Sequence, residues 1–351
     1  MLKIWQKLNS KEKYWGIEVT EMIITRTPYR MSFFGGGTDY PEHFLKYGGS
    51  VLASSINKYC YISCRQLPPF FDHKYRIAYS KIETTRSVDK IKHPAVRGVL
   101  NYLDISDGIE VQHHGDLPAR SGLGSSSSFT AGLLHSLHAL NGRMISKYDL
   151  AMQTIDVEQN VIGEKVGSQD QVMASIGGLN HIIFSEDGDI TVKPVVMSSD
   201  KRNWLNDHLL MFFSGVSRNS QDITTQKIKC IKSKSSEVIS LGDYVNQSLS
   251  ILNSDACVSE FGRLLHEAWT IKRSISRSIS TNLIDNIYET ARENGALGGK
   301  LMGAGGGGFM VFFAAPNKHK KIKEALSKLV HVPFRFENSG STVCVYEPNG
   351  L

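Results

Sequence analysis

Gly122 and Gly124 bracket Leu123, four serines follow from Ser125 to Ser128, and the text then turns helical. Residues of these types in this order can cradle a phosphate. Glycine lets the backbone approach an anion, and serine hydroxyls cap the helix and reach phosphate or metal. The helix N-terminus directs unpaired N–H groups and partial positive charge at the same spot. An ordinary serine-capped helix behind a flexible loop would use the same residues. Two further segments accompany this one. Near the start stands Thr27-Pro-Tyr-Arg-Met-Ser-Phe-Phe-Gly-Gly-Gly-Thr-Asp-Tyr40, and near the end Gly298-Gly-Lys-Leu-Met-Gly-Ala-Gly-Gly-Gly-Gly308.

Phosphoryl transfer asks a protein for a triphosphate cradle, a Mg²⁺ site, a group that orients the attacking hydroxyl, and positive charge on the migrating phosphoryl. Glu158 to Gln171 supplies two carboxylates for these roles. Glu158 sits near the end of a helical run. Asp170 follows the Gly167 turn and, read alone, would be a helix N-cap. Arg218, in Ser214-Gly-Val-Ser-Arg-Asn-Ser220, reads as a substrate contact or as a surface arginine at a helix start; Lys92, His93 and Arg97 read the same way, more weakly. Arg120 beside the cradle could contact phosphate or stay solvated. Gly303 to Gly308 matches G-x-G-x-x-G literally, but a dinucleotide fingerprint follows a strand and opens a helix. Here the preceding text reads as helix and loop, and Phe309 to Ala314 reads as a strand, which excludes that use. His113-His114 reads as polar surface, and Cys60 and Cys64 lack the Cys/His pair a zinc site needs.

The elements that must position these residues follow from periodicity and punctuation. Strands are expected at Met22 to Thr27, Val51 to Arg65, Ile109 to His113, Leu179 to Phe184, Leu209 to Phe213, Phe309 to Ala314 and Thr342 to Tyr346. Helices are expected near Pro94 to Leu103, Ser126 to Leu140, Ser146 to Ile162, Asn219 to Leu252, Ser259 to Ser278, Leu283 to Asn294 and Lys318 to Leu329. Asp187-Gly188 marks a hairpin. The character changes near residue 200, and the alternation beyond it suggests a second α+β domain with an antiparallel sheet. The expected division is therefore an extension at 1–21, a first domain at 22–200 and a second at 201–351.

The chain has 351 residues, 41% of them hydrophobic, enough for a large core in two domains. No apolar run approaches the length of a membrane span, and the start lacks the apolar core of a signal peptide. Five scattered cysteines suit reduced thiols in a cytoplasmic protein better than a disulfide framework. A net charge of +6 fits a site for small anions; the lysine patches read as solvated helix faces, and no nucleic-acid motif accompanies them.

Taken in order and spacing, the three glycine-bearing segments resemble the signature motifs of the GHMP small-molecule kinases, from Met22 to the end. The resemblance implies an α+β fold of two domains, the first ribosomal-protein-S5-like and the second ferredoxin-like. It implies ATP and Mg²⁺ as cofactors. Gly122, Leu123, Gly124, Ser125, Ser126 and Ser127, with Gly305 and Gly306, would surround the nucleotide phosphates. Ser126 and Glu158 would hold Mg²⁺, and Asp170 with Arg30 would do the catalysis. Gly37, Thr38 and Asp39, joined by Arg218, would face the substrate. The glycine loop would close against the cradle, its glycines allowing near contact between domains.

Galactokinases carry Gly-Glu-His before Thr-Asp-Tyr, where this chain has Gly35-Gly36-Gly37. That change opens room and removes a negative charge, which suits a larger or anionic sugar. The Arg30 to Tyr40 stretch is most similar to the branch acting on D-glycero-D-manno-heptose 7-phosphate, at its anomeric hydroxyl, toward nucleotide-activated heptose for surface polysaccharide. Another sugar-1-kinase such as L-fucokinase or a galactokinase-like enzyme, more distantly mevalonate-type chemistry, which Thr38-Asp39-Tyr40 disfavours, and a non-catalytic sugar- and ATP-binding sensor are the competing readings. The expected partners are a sugar phosphate and ATP, without nucleic acid or membrane, and a homodimer is open.

Overall fold

The computed structural model describes residues 22–68, 70–215, 233–254, 259–276 and 278–347. Strands β1 (Met22–Phe34) and β2 (Gly49–Gln66) run antiparallel, joined through the short helix α1 (Pro41–Tyr47). Around them assemble β3 (Tyr75–Ala78), β4 (Ile82–Thr85), β5 (Ile109–Gly115), β6 (Leu179–Phe184) and β7 (Ile190–Pro194). The path through the main sheet is β4-β3-β5-β2-β1, with β3 parallel to β5 and the β6–β7 hairpin on the first part of β2. Helices α2 (Pro94–Tyr102), α3 (Ser125–Leu140), α4 (Lys147–Asp156), α5 (Gln169–Ile176) and α6 (Ser199–Asp207) complete this part.

A second sheet holds β8 (Leu209–Phe213), and after helices α7 (Ser235–Asn253), α8 (Ser259–Ile275) and α9 (Asn282–Glu293) come β9 (Ala296–Leu301) and β10 (Phe309–Ala314). Following α10 (His319–Ala325) and β11 (Val330–His331), the order is β11-β8-β10-β9, antiparallel throughout. The chain then returns. β12 (Phe336–Glu337) pairs with β2, and β13 (Thr342–Glu347) pairs with the free edge of β1. This corrects the expected division: 201–351 is not one contiguous domain, because its last strands complete the first sheet. An open edge on β1 would expose unpaired backbone groups, and β13 covers it.

Helix α3 is the centre of the first layer, buried on nearly all sides. Gly132 allows its close approach: a β-carbon there would stand 2.9 Å from Thr27 Oγ1 and 3.2 Å from Ile62. Thr25 Oγ1 donates to the Gly132 carbonyl at 2.9 Å and meets Ser136 Oγ at 2.8 Å, so the buried hydroxyls between helix and sheet are paired. The two units share one core. Phe33 and Phe34 of β1 meet Phe261 of α8 edge-on at 5.5 and 5.1 Å, and Phe261 meets Phe313 of β10 at 6.0 Å. Such pairs add about 1 kcal/mol each beyond the apolar area they bury.

Three local expectations change. Gly124, in the left-handed conformation, is the N-cap of α3 with no side-chain cap, so Ser125 to Ser128 form the first turn instead of capping it. The helix expected to Ile162 is α at Lys147–Asp156 and then a π turn at Val157–Val161. The text before the glycine loop, expected as helix and loop, ends in strand β9. Glycine is a poor strand former, but packing demands it here. A β-carbon on Gly298 would lie 2.0 Å from the Gly262 carbonyl oxygen, and one on Gly299 2.6 Å from Phe312. Residues 219–232 of the expected long helix, with Cys230 and Cys257, lie outside the described residues; Cys60, Cys64 and Cys344 are free thiols. No described helix is long and apolar enough to cross a membrane.

Gly298→Ala is expected to lower stability by about 2 kcal/mol, since the clash is with backbone that cannot rotate away. Urea denaturation checks it, and an unchanged midpoint would show that α8 and β9 separate easily.

Candidate active site

The three glycine-bearing segments converge on one cleft of about 1250 Å³. Arg30, in the buried half of β1, is its joint. The backbone N–H of Arg30 donates to the Leu123 carbonyl at 3.0 Å, and Nη1 donates to the Gly122 carbonyl at 2.7 Å. Nε and Nη2 donate to the two carboxylate oxygens of Asp170 at 2.6 and 2.7 Å. This is the bidentate fork that only arginine offers. Arg30 is buried, while the Asp170 side chain is 26% exposed and stays open to the cleft. Gly124 covers the pair; a β-carbon there would touch Arg30 Cγ at 3.1 Å and the Asp170 carboxylate at 3.5 Å.

Asp170 stands in the first turn of α5, where the helix dipole favours a negative charge, and Ser168 is the N-cap. Asp39 lies alongside. Its Oδ1 accepts from the Gly37 N–H and its Oδ2 from Gln169 Nε2, both at 2.9 Å, and its carbonyl accepts from the Ser168 N–H. Gly37 and Thr38 do not border the cleft. Thr38 Oγ1 is engaged with Gly35 and Ser50, so these two residues build the turn that presents Asp39. Desolvation by burial, with Asp39 and Asp170 nearby, pushes the Tyr40 hydroxyl far above its ordinary range and keeps it neutral.

The cradle and the glycine loop touch backbone to backbone. β-Carbons on Gly122 and Gly303 would stand 2.5 Å from Met302 O and Gly122 Cα, and one on Gly308 2.3 Å from Ser121 O. Gly122, Gly124 and Ser125 to Ser127 border the cleft, as do Gly303, Gly305 and Gly307. Leu123 is wholly buried, and Gly306 turns its N–H to the Ile279 carbonyl. Arg120, with φ +59°, donates its N–H to Ser125 Oγ at 3.2 Å and faces the same space.

Glu158 is buried in the π turn. Its Oε2 accepts from Ser127 Oγ at 2.9 Å and Gln171 Nε2 at 2.6 Å, while Oε1 has no partner among the described residues. Burial, then the charge of Glu164, pushes its carboxyl up to about 8. Glu164 is itself raised by burial, with Arg120 opposing. A buried carboxylate oxygen without a donor fits a cation, and Ser126, next in sequence to the Ser127 that meets Glu158, is exposed and borders the same cleft. No cluster of three or more His, Cys, Asp or Glu side chains forms among the described residues. A cation here would therefore share its shell with phosphate oxygens, as a nucleotide-borne Mg²⁺ does.

Several site residues carried no sequence signal. Lys272 of α8 is buried, and its Nζ donates to the carbonyls of Leu301 at 3.1 Å and Gly303 at 2.9 Å, holding the glycine loop. Lys300 of β9 is buried and donates to the Phe33 carbonyl at 2.5 Å. A lysine in amphipathic text reads as solvated, and only the fold shows the carbonyls that turn it inward. Lys92 and His93 border the cleft, whereas Arg97 turns to the Ile91 carbonyl. His93 stacks on Phe129 at 4.6 Å and meets Tyr79 edge-on at 4.8 Å; burial pushes its imidazole down to about 4, so this wall is a neutral aromatic one. Arg218 lies outside the described residues.

Lys272→Met is expected to weaken binding of an ATP analogue roughly tenfold, the equivalent of one charge-assisted hydrogen bond. Calorimetric titration reads this directly, and an unchanged affinity would mean that the loop holds its shape without the lysine.

Comparison with known proteins places this geometry in a lineage. The family profile for the GHMP kinases N terminal domain matches residues 89–178, and that for the GHMP kinases C terminal matches 254–332. The chain is 28% identical over 324 residues to the D-glycero-alpha-D-manno-heptose 7-phosphate kinase of Campylobacter jejuni, covering 87% of this chain and 93% of that one. It is 24% identical over 355 residues to the L-fucokinase/L-fucose-1-P guanylyltransferase of Bacteroides fragilis, covering 88% of this chain and 36% of that larger protein. The crystal structure of a D-glycero-D-manno-heptose 1-phosphate kinase from Bacteroides thetaiotaomicron superposes with a TM-score of 0.76 at 22% identity, over 93% of this chain and all of that one, which establishes the shared fold. With both family domains in order on that fold, the chain belongs to the GHMP kinases and is a sugar kinase, a phosphotransferase with an alcohol group as acceptor.

Proposed function

We propose that this kinase moves the γ-phosphoryl of ATP to the anomeric hydroxyl of D-glycero-D-manno-heptose 7-phosphate, giving the 1,7-bisphosphate that feeds nucleotide-activated heptose for surface polysaccharide. The observation that carries the reading is the Arg30–Asp170 fork, set between the phosphate cradle and the Asp39 wall and open to the cleft on its Asp170 side. The similarity to the Campylobacter heptose 7-phosphate kinase along nearly its whole length supports the acceptor.

In this reading the nucleotide base lies along the neutral wall of Tyr79, His93 and Phe129, and the phosphates lie on the first turn of α3 beneath the glycine loop. The α3 N-terminus supplies N–H groups and partial positive charge. Glu158 and Ser126 would hold Mg²⁺, which when bound neutralises charge on the phosphates. Asp170 orients the acceptor. Arg30 takes one lone pair on each carboxylate oxygen and leaves others for the sugar hydroxyl. The hydroxyl oxygen forms its bond to the γ-phosphorus as the bond to ADP breaks. Its proton passes late to Asp170, as a loose transition state requires. Arg30 keeps its positive charge next to the transferring group. Asp39, fixed by two donors, accepts hydrogen bonds from other sugar hydroxyls.

The test is ATP turnover with Mg²⁺ on D-glycero-D-manno-heptose 7-phosphate, L-fucose, galactose, mannose and mevalonate, with Asp170→Asn alongside. Turnover is expected on the heptose phosphate and should fall about a thousandfold in the variant. Turnover confined to an unphosphorylated sugar would keep the kinase and overturn this acceptor.

A further inference from the structure

Among the described residues two arginines border the cleft, Arg30 and Arg120. Arg30 gives Nε and Nη2 to Asp170, so its charge is already matched by a carboxylate. A triphosphate carries several negative charges and calls for cations that are not matched in this way. Arg120 is such a group. It is exposed, stands at the cradle, and forms no ion pair among the described residues.

Its backbone sets it apart. Among the described residues only Asp104 and Arg120 hold a positive φ without being glycine, at 52° and 59°. Asp104 stands just past the C-cap of α2, a place where short polar residues tolerate that conformation. Arginine has no such relief, and the left-handed region presses its β-carbon toward the following carbonyl oxygen. The same loop uses glycine where its backbone turns left-handed again, at Gly122 and Gly124. Residue 120 departs from that usage. Strain held at a site is offset by what the strained residue does there.

Two contacts give the direction of the side chain. The Arg120 N–H donates to Ser125 Oγ at 3.2 Å, which ties the residue to the first turn of α3. Glu164 borders the same cleft, half-buried, and its backbone N–H donates to the Glu158 carbonyl at 2.8 Å. The charge of Arg120 reaches Glu164 and opposes the rise that burial causes there. The guanidinium therefore lies toward the wall that carries Glu158, where a cation and the terminal phosphates of a nucleotide would meet. Its planar fork suits phosphate oxygens.

We propose that Arg120 is a phosphate-contacting residue that reaches over the cradle to the terminal phosphates of the nucleotide, from a backbone strained to present it, and so favours ATP over ADP. The inference rests on the ATP-dependent kinase reading and is independent of which sugar is the acceptor. Arg120 supplies positive charge that no carboxylate of the site consumes, and that charge stays beside the phosphoryl group as its bond to ADP breaks.

Calorimetric titration of the full chain with Mg²⁺ and either a non-hydrolysable ATP analogue or ADP tests this without an acceptor, so a wrong sugar leaves the result readable. The proteins are wild type, Arg120→Ala, Arg120→Gly and Arg120→Lys, each with its melting temperature. Arg120→Ala removes the side chain and keeps the strained backbone, whereas Arg120→Gly removes both. Each is expected to weaken the ATP analogue about tenfold and ADP by no more than about threefold, the loss of a charge-assisted contact to the terminal phosphate. Arg120→Lys keeps the charge without the fork and should recover part of the loss. Arg120→Gly should melt about 2 °C above Arg120→Ala, because only glycine is relaxed at this φ. Analogue affinities indistinguishable from wild type in the alanine and glycine variants would overturn the contact. So would an equal loss for the analogue and ADP, which is the mark of a damaged cradle. A wild-type chain that binds neither nucleotide would overturn the ATP-dependent reading itself, a result seen before any variant is compared.

Discussion

The site hangs on one guanidinium. Arg30 uses Nε and both terminal nitrogens, spending them on Asp170 and the Gly122 carbonyl, while its own backbone N–H holds Leu123. One residue of β1 thereby fixes the carboxylate of α5 relative to the loop that opens α3. A lysine could not replace it, since a point charge has no plane to set two directions at once. Arg30 is withdrawn from water, so removing Asp170 leaves its charge buried without that partner, at a cost of about 3 kcal/mol. The same fork leaves the outer face of Asp170 uncovered, and that is the face an acceptor would meet.

Glycine sets the second constraint. The cradle and the glycine loop come from units built on different sheets, and they meet where Gly122, Gly303 and Gly308 allow backbone to touch backbone. Any side chain at these points would hold the walls apart. Lys272 fixes the loop from behind, and the Phe33, Phe34, Phe261 and Phe313 contacts keep the two sheets in one core. β13 adds a further tie, because the chain cannot complete its first sheet until the second unit has been traversed.

Much of this was legible in order and spacing. The cradle and the glycine loop stand out because glycine and serine in such runs are what a phosphate site would need, although a serine-capped helix would use the same residues; roles for Glu158 and Asp170 came only with the family resemblance. Strands with alternating or continuous apolar text, such as β2, β6 and β10, were legible because burial imposes a period. β9 was not, since its glycines oppose strand propensity and are explained only by the closeness of α8 to Gly298 and of β10 to Gly299. Thr38 and Asp39 stand side by side in the sequence, yet one closes a turn and the other borders the cleft; adjacency says nothing about direction.

The sequence by itself determined the class of reaction, through the resemblance of its three glycine-bearing segments to a known family, and the longer apolar elements, through periodicity; Lys272, Lys300 and β9 carried no such signal. The tertiary structure decided which acidic and basic groups share a cleft, which glycines are sterically required, and that the last strands belong to the first sheet. These are matters of distance between residues far apart in the chain. Arg30 and Asp170 are 140 positions apart and 2.6 Å in contact. Only packing of the whole chain sets such a distance.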